Sequence, residues 1–383
     1  MLLVSKYFGN GSSDPKKGQG WCLMSCSKFY NVFSNVVRSA FLIPKSTIFL
    51  SKEVDNWSLF WDVHYVHKIL IDAGLRSEVC FDIGLLRQTI FYVNKYILLK
   101  PRLRLHGMNT VTMAYYHGYP GTGCNESDGC FASLEKYHQR IGRIQYTHQR
   151  MGDYLLEAGV PQWKLRKIYI GVDDKHFSPV SDGRKKEIRC KLGIPESAIV
   201  VGSFQKDGQG WGDGTEPKLI KGPDIFVDTM RMLKGLVPEL HVLLTGPARG
   251  FVKAGLSASG IPHTHLCLDR YHDLPELYNA LDLYLVSSRE EGGPKAVLES
   301  MASGVPLVST PVGQAVELIC PEVNGLLSTG FSPEELSSLC YKGIGDVALR
   351  KQMVESGIHT AGLNTYASQT ELWLDFFEGI EVD

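Results

Sequence analysis

Short apolar runs alternate with segments of helical spacing along most of this chain, a pattern that predicts strands and helices in turn. Ser46–Ser51 is a β-type run; beyond a polar break, Trp57–Ala73 places Val63, Val66, Ile69 and Leu70 at helical spacing and stops at Gly74. Val111–Tyr116 reads as a strand and Met151–Pro161 as a short helix. Lys164–Ile170 reads as the last strand of a first unit, leaving through a turn at Gly171 and Pro179. The strand pattern returns at Ala198–Phe204, Leu240–Thr245, Thr264–Leu268 and Leu283–Val286, with helices expected over Ile225–Leu233, Pro275–Ala280 and Ala296–Ala302. Beyond these come a loop and helix over Pro311–Ile319 and a short strand at Asn324–Leu327. Ser332–Cys340 begins with an S-x-x-E capping box, Ser332 with Glu335. Gln369–Phe377 reads as a terminal helix with Leu372, Leu374, Phe376 and Phe377 available for docking.

Two stretches resist this pattern. Residues 1–45 show no sustained periodicity and read as an extension, with Leu2–Tyr7 as an alternative first strand. Residues 85–104 are apolar and basic together, which suits an amphipathic segment on a membrane surface or a partly exposed core helix. The whole predicts an α/β protein of two Rossmann-like domains facing across a cleft. The expected boundaries are an extension over 1–45, a first domain over 46–180, a charged linker over 181–197, a second domain over 198–365, and a carboxyl-terminal helix over 366–383 that crosses back to the first domain.

A length of 383 residues accommodates two or three domains. No apolar run approaches the roughly 18–20 residues of a membrane span, and the start is too interrupted for a signal peptide. Nine cysteines without a C-x-x-C pair predict reduced thiols, Cys22/Cys26 and Cys124/Cys130 included, and a cytoplasmic protein. The net charge of −1 conceals an asymmetry: residues 1–180 carry 22 Lys+Arg against 14 Asp+Glu, and the remainder 18 against 27. A basic half suits an acidic partner such as an anionic membrane, or it is ordinary variation between domains. No nucleic-acid-binding motif accompanies the charge.

The chemistry concentrates at strand ends. After Leu283–Val286, Glu291-Gly292-Gly293-Pro294 breaks the pattern before the helix that carries Lys295 and Glu299. Ligands of open α/β sheets bind at the carboxyl ends of strands, and glycines let backbone N–H groups approach an anion. Glu299 lies just over a turn into the helix, so both carboxylates can face one molecule. Lys221, at the start of another helix, suits a diphosphate. His117 follows the strand Val111–Tyr116 and precedes a glycine-rich loop, near a reacting group or bracing the loop.

The run E-G-G-P-K-A-V-L-E-S-M-A-S-G-V-P (291–306) resembles the E-x7-E signature of retaining, nucleotide-sugar-dependent glycosyltransferases of the GT-B fold. The pattern I-x-I-G-V-D followed by F-x-P (168–179) resembles the end of their amino-terminal domain. The resemblance implies that Glu291 holds donor-sugar hydroxyls, Glu299 the ribose and Lys221 the diphosphate. Gly292, Gly293, Pro294 and Lys295 would line the donor site, Tyr271 would lie near the base, and His117 near the phosphates or the reaction centre. Ser203 stands where the family has an arginine, a departure for which Lys206 or Arg249 would compensate. The absence of D-x-D fits a metal-independent enzyme with no cofactor beyond its UDP- or GDP-sugar donor. A glycan or lipid-linked acceptor, reached at the cytoplasmic face of a membrane, would complete the reaction. A glycoside hydrolase, whose two carboxylates share one bond, fits less well. A sugar-nucleotide-binding protein that has lost catalysis is the alternative.

Overall fold

The computed structural model describes residues 47–51, 58–80, 88–101, 105, 108–121 and 125–380. The expected extension, Cys22, Cys26 and Cys124 lie outside them. The amino-terminal sheet has strands β1 (Ile48–Ser51), β2 (Ser77–Cys80), β3 (Thr89–Tyr92), β4 (Thr110–Ala114), β5 (Ile141–Tyr146) and β6 (Leu165–Lys167), in the order β2-β1-β3-β4-β5-β6. The second sheet has β7 (Ile199–Phe204), β8 (Leu240–Thr245), β9 (His263–Leu266), β10 (Leu283–Val286), β11 (Leu307–Ser309) and β12 (Leu326–Leu327), in the order β12-β11-β10-β7-β8-β9. Every recorded pairing is parallel. In each sheet the order reverses beside its first strand, opening a crevice at the strands' carboxyl ends.

Both faces of each sheet are covered, and β1, β3, β8 and β10 are buried along their whole length. Phe49 and Ile90 join one core and Leu50 and Phe91 the opposite one, as the two-residue period requires. Val200 and Leu243 likewise separate from Val201 and Val242.

The carboxyl-terminal helix Thr370–Phe377 returns to the amino-terminal domain. Trp373, Phe376 and Phe377 are buried there, their rings 5.5, 5.6 and 5.9 Å from Phe91 in edge-on geometry. Each such side chain buried contributes roughly 1.5–3 kcal/mol. Leu372, expected among the docking residues, is instead 47% exposed. The i, i+3, i+4 stripe from Trp373 leaves it on the opposite face.

Several other expectations are corrected. The region 85–104 contributes no long amphipathic helix among its described residues. Thr89–Tyr92 is a fully buried strand between β1 and β4, and Lys95–Leu99 a short 3-10 turn. The expected linker contains a helix, Asp182–Lys191, capped by Ser181 and docked on the second domain. Lys185 and Arg189 pair with Asp282 at 2.9 and 2.6 Å, which explains how so charged a segment packs. Strand β2 and the helix Val347–Leu363 were not expected. In that helix Val347, Ile358 and Leu363 are exposed while Gly357 and Ala361 are buried, so apolar spacing gives no clear stripe. No described helix is long and apolar enough to cross a membrane.

Candidate active site

Strand β10 ends at Val286, and the chain turns through Ser287 and Ser288 to Glu291. Gly222 makes this turn possible from the other side: its φ is +61°, and a Cβ there would sit 1.9 Å from the Ser287 carbonyl oxygen. The close approach places Lys221 beside the loop, its Nζ 2.6 Å from Glu291 Oε1. Ser288 Oγ donates to the same oxygen at 2.9 Å. Oε2 of Glu291 accepts no hydrogen bond among the described residues, so one carboxylate oxygen is anchored and the other available. Gly222 also precedes the helix Pro223–Leu236, whose first N–H groups lie next to Lys221.

The amino-terminal domain meets this loop at the end of β4. A Cβ on Gly292 would lie 2.3 Å from Tyr116 Cβ, and Thr147 Oγ1 donates to the Gly292 carbonyl at 2.7 Å. Gly118 N–H donates to Glu290 Oε1 at 2.7 Å across the domain boundary. His117 is thereby held in the cleft, partly buried, opposite Lys221. Burial, and then the charges of Lys95, Lys221 and Lys218, push its pKa down to about 3, so it is a neutral imidazole near pH 7. His117 of the first domain thus faces Lys221 of the second, and Lys221 in turn pairs with Glu291.

Glu299 occupies a different environment. It lies on the helix Lys295–Ala302, 4% exposed, with Tyr271 donating to Oε1 and Tyr278 to Oε2, the latter at 2.8 Å. Burial raises its pKa, opposed by Lys295 and the two phenols. Tyr271 in turn stacks on Trp61 of the first domain, 5.4 Å between centroids and 24° between planes. Tyr271 is thus joined to Glu299, and Trp61 was not foreseen.

Lys295 lies over the Tyr271 ring, 5.3 Å from its centroid, with its Nζ 2.6 Å from Asp62 Oδ1 and 3.0 Å from Tyr366 Oη. Asp62 and Lys295 are both largely buried, so this ion pair ties the domains rather than standing open to a ligand. Pro294 is the N-cap of the helix, and Gly293 packs on Gln314 and Ile170. Arg249 is not in the cleft. Its guanidinium is fully buried, 3.0 Å from Asp207, and donates to the carbonyls of Ser203, Gln205 and Thr245 at 2.7, 3.1 and 2.9 Å. It braces the loop beyond β7 and cannot compensate for Ser203. Lys206 lies over the Trp211 ring, 4.9 Å from its centroid.

Lys95 and Lys218 were missed. Lys95 lay in a segment read as a helix, and Lys218 in a polar loop whose spacing carries no period. Glu317 was missed too: it accepts from Lys167 Nζ at 2.9 Å and Tyr169 Oη at 2.7 Å, joining the domains beside the cleft. Among the described residues no group of three or more His, Cys, Asp or Glu is arranged to hold a metal.

Residues 217–360 match the family described as glycosyl transferases group 1. That match lies within the carboxyl-terminal domain. The segment matched includes Lys221, Glu291 and Glu299 of the candidate site. The lipopolysaccharide core biosynthesis mannosyltransferase LpsB of Rhizobium meliloti (strain 1021) is 32% identical over 159 residues, 40% of this chain and 42% of that protein. The GDP-mannose-dependent monoacylated alpha-(1-6)-phosphatidylinositol monomannoside mannosyltransferase of Corynebacterium glutamicum is 26% identical over 254 residues, 64% of each chain. The chain thus spans about half the length of the curated relatives it matches. Among solved structures, Anabaena HepE in complex with UDP-glucose superimposes with a TM-score of 0.68 at 16% identity, covering 85% of this chain and 98% of that one. WaaG, a glycosyltransferase involved in lipopolysaccharide biosynthesis, gives 0.65 at 17% identity over 87% and 100%. Both support the two-sheet GT-B fold of the whole.

Proposed function

We propose that the protein transfers a sugar from a nucleoside diphosphate sugar to a glycan or lipid-linked acceptor, with retention of anomeric configuration. The observation that carries this reading is the Lys221–Glu291 pair, held at the carboxyl end of a group 1 sheet and facing His117 across the domain boundary. In this reading Glu291 Oε2 receives hydroxyls of the donor sugar, and Lys221 with the adjoining helix N-terminus stabilises the departing diphosphate. Neutral His117 can accept or donate a hydrogen bond at the reaction centre without adding charge. The ribose takes the remaining lone pair of Glu299 Oε1 beside Tyr271, whose ring flanks the base.

Such a reaction needs stabilisation of a leaving diphosphate and an oxocarbenium-like sugar more than it needs a strong base. Lysines supply that charge, and the sequence contains no D-x-D; both support a metal-independent reaction, with no cofactor besides the donor. UDP- and GDP-linked sugars share these contacts. The mannosyltransferase relatives and the UDP-glucose complex of HepE make both worth testing. The basic first half supports a peripheral approach to an anionic membrane from the cytoplasmic side. Ser203 in place of arginine favours the second reading, a sugar-nucleotide-binding protein without turnover.

The test is nucleotide release from a panel of UDP- and GDP-sugars by purified protein, with and without EDTA, and with oligosaccharide or glycolipid acceptors. Release from one donor, unaffected by EDTA, with product of unchanged anomeric configuration by NMR, is expected. Binding without turnover over the full acceptor panel supports the second reading, and binding of no donor defeats both.

A further inference from the structure

The cations that the sequence offered for the site are not equivalent. Lys221 is matched one to one by Glu291 at 2.6 Å, Arg249 is sealed against Asp207, Lys206 rests on an indole, and Lys295 is held by Asp62. Lys218 differs from all four. It is half-buried and forms no ion pair or side-chain hydrogen bond among the described residues. The acids facing it are Glu291, already engaged by Lys221 and Ser288, and Glu126 of the first domain. The basic groups facing it are Lys221, Lys206 and His117.

Its position is built rather than incidental. Lys218 N–H donates to the Asp207 carbonyl at 2.7 Å, and its own carbonyl accepts from Lys221 N–H at 2.8 Å. An antiparallel bridge between Gly208 and Pro217 closes the loop just before it. Arg249 secures the base of the same loop through Gln205 and Asp207. Gly214 permits this fold, since its φ is +71° and a Cβ there would lie 2.1 Å from the Ala248 carbonyl oxygen. An ordered excursion of the chain therefore delivers one ammonium group, without a counter-ion, to the cleft where two other cations converge. Burial first, then Lys221 and Lys206, lower its pKa. A half-buried charge so placed is stabilised by an anion, and a phosphate would supply it.

We propose that Lys218 is the second cation of the donor site, binding a phosphate oxygen of the nucleoside diphosphate beside Lys221 and standing in for the charge absent at Ser203. The inference rests on the nucleotide-sugar reading. It assigns to the loop 205–221 the task that Arg249, buried within it, serves only indirectly.

The experiment is calorimetric titration of the full chain with UDP, GDP, UMP and GMP, in the parent and in Lys218→Met and Lys218→Arg. For whichever base binds, Lys218→Met should weaken diphosphate binding by about 10- to 100-fold and monophosphate binding by a few-fold at most, and Lys218→Arg should restore most of the loss. Unchanged diphosphate binding in Lys218→Met overturns the proposal. So does an equal loss for diphosphate and monophosphate, or a loss that Lys218→Arg does not restore, since either marks a structural role. A parent that binds none of the four nucleotides overturns the nucleotide-sugar reading and the proposal with it. A parent that binds a diphosphate while Lys218→Met binds it equally well leaves that reading standing and removes Lys218 alone.

Discussion

Glu291 and Glu299 stand eight residues apart, yet the structure treats them as opposites. Glu291 lies in a loop, with one oxygen tied to a lysine and a serine and the other available. Glu299 lies on the inner face of a helix beneath two tyrosines, nearly without exposure. A carboxylate held through one oxygen by a lysine and a serine keeps its other oxygen accessible. One surrounded by phenols and aromatic rings is embedded in the packing of the domain. In the proposed reading the same residue type therefore serves mainly chemistry at one position, and chemistry and stability together at the other.

The largest effects should fall on turnover at the Glu291 end. Glu291→Ala or Lys221→Ala should lower the rate of nucleotide release by about 100- to 1,000-fold. Because that pair is partly exposed, its loss should change stability by less than about 1 kcal/mol in urea denaturation. Comparable losses of stability and activity would erase the contrast. Glu299→Ala should behave otherwise. It leaves the Tyr271 and Tyr278 hydroxyls without their acceptor and should cost about 2–4 kcal/mol in the same denaturation experiment. Tyr271→Phe sharpens the point: it removes one of the two donors while keeping the ring stacked on Trp61, and should cost only about 0.5–1.5 kcal/mol.

The comparison extends across the cleft to His117. Its folded pKa of about 3 lies below the ordinary 6.5, so its contribution to stability is present above pH 6.5 and is lost as pH falls toward 3. His117→Asn should therefore show a shallower decline in urea midpoint between pH 6.5 and 4 than the parent. A parallel decline would mean that the imidazole is not held neutral.

The second domain was more legible in the sequence than the first. Its strands β7, β8 and β10 are largely apolar runs, and two of its candidate site residues, Glu291 and Glu299, lie within one contiguous loop and helix. In the first domain, by contrast, β2 (Ser-Glu-Val-Cys) has too few apolar residues to stand out, and β3 is enclosed by basic residues that suggested an amphipathic surface. His117 was legible because a histidine between a strand and a glycine loop has few other places to go. Lys218 and Trp61 were not, because what gives them meaning is a neighbour from a distant part of the chain. Arg249 and Lys295 misled for a related reason. Their sequence positions suit an anion site, but Asp207 and Asp62, 42 and 233 residues away, claim their charges. Spacing identifies a charged side chain near a strand end, whereas its counter-ion is a property of the folded molecule.

The most direct measurement compares the affinities of a nucleoside diphosphate and its sugar ester for the parent and for Glu291→Gln. If Glu291 holds the sugar, the parent binds the sugar nucleotide more tightly, and the substitution removes that advantage while leaving diphosphate affinity within a few-fold. Equal weakening of both ligands, or an advantage that survives the substitution, would contradict the assignment of Glu291 to the sugar.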